Sequence, residues 1–241
     1  MLSIAQGIVA VEKILMLLIC FGQYLYFRQK KMSSHNALLS ALVFLSLVVN
    51  LLNPQNGFVY NLVYSVTSTI KMYILMSTGC MLWKQRVADE DRTTTIRLID
   101  VAMGLGLILI WAFIVNLFLR PEVSVDYSKY LREYMNGAGK FYVLLKSFVI
   151  GPISEELYYR CYYMNQIAYW TRKYKYSMVI SIALTAVSFA ISHVGIYTND
   201  MVKIVQILPL GIILGCISYK KGVAYSIPIH ILYNIALILI I

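Results

Sequence analysis

The chain has 241 residues, of which 60% are hydrophobic and only 13% charged, and it carries a formal net charge of +10. A soluble domain of this length would hold about 25% charged residues, so the mean hydropathy of +0.70 points to a polytopic membrane protein. The excess of cations does not read as a nucleic-acid surface, because Lys and Arg fall in short clusters between apolar runs rather than on one folded face.

In chain order, the apolar runs cover 3–27, 37–52, 58–82, 98–119, 141–170, 177–195, 202–218 and 223–241. Most approach the ~20 residues that a spanning helix needs, so the expected fold is all-α, a polytopic transmembrane helical bundle of about eight spans. No basic n-region or small-residue cleavage site precedes Arg28, which makes 3–27 a retained first span rather than a signal peptide. Residues 1–140 carry spans without a chemical motif, and residues 141–241 carry all the motifs described below.

Loop cations set the expected orientation. Counted over alternate loops, one side receives Arg28, Lys30, Lys31, Lys84, Arg86, Arg92, Arg97, Arg172, Lys173, Lys175, Lys220 and Lys221. The other side receives Arg120, Lys129, Arg132, Lys140 and Lys203. The positive-inside rule makes the first side cytoplasmic and leaves both termini outside. Tyrosines crowd 158–176, as either a headgroup belt or a tyrosine-rich core. Cys20, Cys80, Cys161 and Cys216 lie within or at the ends of apolar segments without CxxC spacing, as buried packing thiols would. Glu12, Lys13, Lys71 and Lys146 are ionisable residues in spans for which pairing or snorkelling suffices. His35, among Ser33, Ser34 and Asn36, reads as solvated.

Three polar constellations interrupt the last apolar runs: Glu155-Glu156-xxx-Arg160, Phe189-xxx-His193 and His230-xxx-Asn234. An ionisable group inside a membrane is costly and usually functional. Gly151-Pro152 is expected to break or start a helix, and a start there places Ser154, Glu155 and Glu156 in its first turn beside free N–H groups. Glu156 and Arg160, four apart, pair on one face, and Glu155 is left for another partner. Glu155 and His193 lie at similar distances from the basic turn near Lys173, so an antiparallel hairpin brings them to one depth. His230 and Asn234 share a face, and both carry hydrogen-bond donors.

That inventory suits hydrolysis. A carboxylate at Glu155 takes a proton from water, His193 positions the water or passes the proton on, and His230 with Asn234 donates to the oxyanion. Glu155, His193 and His230 also form a His₂Glu set of the kind that holds catalytic zinc, and the spacing leaves both schemes open. Outside catalysis, the same residues fit helix glue in a membrane peptide-binding, immunity or scaffold protein, or a proton-coupled carrier. A carrier would show inverted repeats or paired broken helices, which this sequence lacks.

The order and spacing of the three motifs, with Pro152-Ile153-Ser154 and Pro209-Leu210-Gly211 as flanks, resemble the CPBP (CAAX protease and bacteriocin-processing, or Abi) family of intramembrane endopeptidases. That family includes the Rce1-type prenyl-protein proteases. The resemblance covers about 141–241 and departs from the family at Tyr159, where Phe is common. It implies an all-helical core with a catalytic cavity open to the cytoplasm. Glu155 and His193 would activate water, His230 and Asn234 would support the oxyanion, and Glu156, Arg160 and Phe189 would be structural. Relatives are usually described as metalloproteases, yet a metal-independent glutamate mechanism has also been argued for the group, so the resemblance leaves open zinc or no cofactor. The implied partners are the bilayer and a membrane-associated peptide or protein, with no nucleic acid. The implied setting is a bacterial cytoplasmic membrane, in peptide maturation or bacteriocin immunity.

Overall fold

The computed structural model describes residues 15, 18, 19, 21–30, 37–51, 57–90, 98–125, 128, 129 and 139–240; Glu12, Lys13, Cys20 and His35 lie outside them. Residues 21–29 are helical, followed by α1 (Ala37–Leu51), α2 (Phe58–Glu90) and α3 (Leu98–Leu119). A composite helix over 139–171 is α4, and α5 (Ser177–Ile191), α6 (Asp200–Lys221) and α7 (Val223–Ile240) complete the bundle. Among the described residues there is no strand, only a bridge between Val123 and Tyr197. The fold is all-α, as the periodicity predicts.

Among the described residues two helices, Ala102–Leu119 and Asp200–Lys221, are long and apolar enough to cross a membrane, and Ala37–Leu51, Ser177–Ile191 and Val223–Leu237 are shorter apolar helices. On α3, Leu107, Ile110, Phe113, Leu117 and Phe118 are each more than half exposed. A contiguous apolar surface of that kind needs a lipid or protein cover.

The helix α4 corrects the expected break or start at Gly151-Pro152. Its α-helical register slips into π turns at Lys146–Ile150 and again at Glu156–Tyr163, so the rod continues through Pro152. The Gly151 N–H bonds to the Lys146 carbonyl, five residues back. The next donor in that register would be Pro152, which has no N–H. Ser147, left without that donor, instead accepts from Asn234 Nδ2 at 3.5 Å. Glu155 and Glu156 therefore sit mid-helix, away from any free N-terminal turn. Such π segments commonly mark functional sites.

Small residues let the helices close around the site. A Cβ on Gly211 would lie 3.1 Å from Ala186, and one on Gly215 3.1 Å from Ile182, so this small-xxx-small face seats α6 on α5. At Gly79 a Cβ would run into the Cys161 carbonyl oxygen, which places α2 directly against the π turn of α4. Pro209 in α6 deprives the Val205 carbonyl of its helical donor, and Trp111 Nε1 of α3 donates there at 3.0 Å.

Several expectations are refined by the packing. Tyr158, Tyr159 and Tyr162 are buried whereas Trp170, Tyr174 and Tyr176 are exposed, so the aromatic cluster is core at one end and surface at the other. Cys80 and Cys161 are buried with their Sγ atoms 4.0 Å apart, but Cys216 is exposed and is not a core thiol. Lys146 lies over the Tyr64 and Tyr142 rings. Lys203 is not a loop cation: it is buried within α6.

Candidate active site

The three constellations converge. Glu155 and Glu156 come from α4, His193 follows the end of α5, and His230 and Asn234 come from α7. Glu155 Oε2 stands 3.9 Å from His193 Nε2 and 3.7 Å from His230 Nε2, too long for direct hydrogen bonds. Glu155 is one-third exposed, at 33%, whereas Glu156 is fully buried. All three of Glu155, His193 and His230 line a cavity of about 600 Å³, and Asn234 lines it too.

Each imidazole is fixed from behind. His193 Nδ1 donates to the Phe189 carbonyl at 2.8 Å, because a carbonyl can only accept. His230 Nδ1 donates to Glu156 Oε1 at 3.0 Å. Both rings thus present Nε2 toward Glu155. Arg160 Nη1 meets the same Glu156 oxygen at 3.1 Å, as the four-residue spacing predicts, and its guanidinium lies 4.0 Å from the Phe189 ring centre. Arg160 Nη2 also reaches the Gly211 carbonyl at 3.5 Å. Phe189 in turn meets His193 edge-on at 4.6 Å and His230 at 5.7 Å. Glu156 is therefore more than the partner of Arg160: one carboxylate oxygen orients a guanidinium and an imidazole together.

The sharp turn after His193 depends on Gly195, whose φ of +93° is open to glycine at little cost. Its N–H donates to Asp200 Oδ1 at 2.7 Å, and Asn199 caps α6 by accepting from the Met201 N–H. Segment 122–124 then pairs with 196–198 through Ser124 N to Ile196 O and Thr198 N to Glu122 O, building one wall of the cavity.

Two residues of the wall were not singled out from sequence. Lys203 Nζ and Tyr197 Oη both donate to Gln206 Oε1 at 3.0 Å, and both line the cavity. The signal was available: Lys203 and Gln206 are three apart in an otherwise apolar run, so they share a helix face.

Glu155, His193 and His230 supply the donor types of a zinc site, with an outer carboxylate behind His230. Ligand atoms about 2.0–2.1 Å from a tetrahedral zinc lie about 3.3 Å apart, closer than the 3.7 and 3.9 Å seen here. Among the described residues no three His, Cys, Asp or Glu side chains stand where they could hold a metal. In this arrangement the set does not fit the ion.

Cavity and basic turn lie at opposite ends of the bundle. Arg86, Arg172, Lys175 and Tyr219 meet at one end of α5 and α6, whereas His193, Tyr197 and Lys203 meet at the other. The charge count and the family resemblance therefore orient the cavity in opposite senses, and both cannot hold.

An apolar all-helical bundle with a carboxylate–imidazole cluster facing a cavity is the architecture of an integral membrane protein. Residues 137–236, which contain every residue of that cluster, match the family described as Type II CAAX prenyl endopeptidase Rce1-like. This stretch of the chain is similar to that family of endopeptidases, a likeness that supports a protease. No curated protein and no solved structure matches the chain.

Proposed function

We propose that this protein is an intramembrane endopeptidase that hydrolyses a peptide bond of a membrane-associated protein or peptide, with Glu155 as the base. The carrying observation is Glu155 Oε2 within 4 Å of two imidazole Nε2 atoms at the cavity wall. Glu155 removes a proton from water, and the water oxygen attacks the carbonyl carbon. His193 positions that water and relays the proton to the amine as the C–N bond breaks. Asn234 has two amide donors, of which one reaches Ser147, so the other serves the oxyanion. His230 donates from Nε2 only with both ring protons present, a form whose charge the Glu156 carboxylate balances.

Zinc, when bound at such a cluster, would supply an activated water directly. Given the ligand spacing above, the proposed steps use the protein's own groups. The proposed setting is a bacterial cytoplasmic membrane, with a peptide precursor or bacteriocin-related peptide as substrate. The rival reading is a non-enzymatic peptide-binding, immunity or scaffold protein.

The test is co-expression of wild type, Glu155→Ala, His193→Ala and His230→Ala at matched membrane levels, followed by mass spectrometry of small membrane-associated peptides. Products lost in all three variants support proteolysis and identify the substrate. Products unchanged in all three refute the catalytic reading and leave the binding role.

A further inference from the structure

A second cavity, of about 380 Å³, opens at the basic end of the bundle between α2, the end of α4 and the last turn of α6. Three cations from two segments line it, Arg86 of α2 and Arg172 and Lys175 of the turn after α4, and none of its lining residues is acidic. The guanidiniums are held in place by the protein. Arg86 Nη2 donates to the Tyr219 carbonyl at 2.5 Å and stacks 3.6 Å from the Tyr219 ring centre. Arg172 Nη1 donates to the Tyr169 carbonyl at 2.6 Å and lies 4.2 Å from the Tyr169 ring centre. Among the described residues no carboxylate pairs with Arg172 or Lys175.

Position narrows the ligand. Trp170, Tyr174 and Tyr176 are exposed around the same turn, as in the aromatic belts that sit at headgroup level. Fixed guanidiniums favour planar or branched oxyanions, and a phosphate is the oxyanion abundant at that depth. Basic pockets between membrane helices take phosphorylated lipid headgroups. We infer that this crevice binds the phosphate of an anionic phospholipid headgroup. Arg172 and Arg86 grip it from two sides and Lys175 adds a point charge. Because both guanidiniums are already ordered, little side-chain freedom is lost on binding.

The experiment uses the full chain in detergent, with short-chain phosphatidylglycerol, short-chain phosphatidylcholine or inorganic phosphate added. Bound lipid is counted by native mass spectrometry. Phosphatidylglycerol is expected to be retained, and phosphatidylcholine not. Each cation near a membrane surface contributes about fivefold in affinity, so Arg172→Gln/Lys175→Gln should lose more than about tenfold. Both side chains are exposed, so this variant should keep the fold, and Arg86→Gln provides a second reading. Lys173→Gln removes an equal charge from the same turn outside the crevice and should retain wild-type binding. Equal retention of the two lipids, or equal weakening by Lys173→Gln, overturns the site. Inorganic phosphate displacing phosphatidylglycerol at equal concentration would overturn the lipid as its ligand.

Discussion

Removing the Arg160 guanidinium tests the central claim about the site, that one buried carboxylate is balanced from two sides. Glu156 and Arg160 are almost wholly inaccessible, 3.1 Å apart. At that separation and an effective dielectric of about 20, their attraction is about 5 kcal/mol. Breaking such a pair from one side typically costs about 3–5 kcal/mol, because the remaining charge stays buried. His230 still donates to Glu156, which places Arg160→Met toward the lower figure. In thermal unfolding of the purified protein, the midpoint should fall by on the order of 10 °C. Glu156→Gln/Arg160→Met removes both charges and keeps the volume near Phe189, so it should recover most of the loss, to within about 1 kcal/mol of wild type. Cleavage should not recover with it, because His230 loses its counter-charge. An Arg160→Met variant that melts like wild type, or a double variant no more stable than the single, would refute the reasoning.

The other predictions concern the base, the packing, the metal and the orientation. Glu155→Gln should lower cleavage by about 10²–10⁴-fold while the melting midpoint stays close to wild type, since the side chain is partly exposed; an active Glu155→Gln enzyme removes it as the base. Gly79→Ala forces a Cβ against the Cys161 backbone and should cost at least about 3 kcal/mol, read as lost folded protein in the membrane fraction. Cleavage should survive exhaustive chelation followed by metal analysis of the purified enzyme; loss restored specifically by zinc would assign the cluster to the ion. Single cysteines at Ser124 and Lys173 should label from opposite faces with an impermeant maleimide, Ser124→Cys on intact cells and Lys173→Cys only after permeabilisation. The reverse pattern would open the cavity to the cytoplasm and overrule the charge count.

Much of this protein was legible without coordinates. Hydropathy marks the helices because a backbone in lipid must satisfy its own hydrogen bonds, and the three motifs stand out because charge inside apolar runs is expensive. The pairing of Glu156 with Arg160 follows from helical spacing alone. The pairing of Glu156 with His230, 74 positions away, does not, because no local period links α4 to α7. The π turns also escape a sequence reading. Pro152 announces a break, and only packing against α2 and α7 turns that break into a shifted register, with Asn234 meeting the Ser147 carbonyl. Lys203 is visible in the sequence as a cation but not as a buried one, since its depth depends on where α6 sits on α5. Sequence by itself therefore determined the lipid-facing helices, the motif-bearing segments and the local ion pair, all of which rest on short-range periodicity and transfer energy. Only the tertiary structure decided which imidazole faces which carboxylate, and that the cavity and the basic crevice occupy opposite ends, because those facts depend on contacts between helices far apart in the chain.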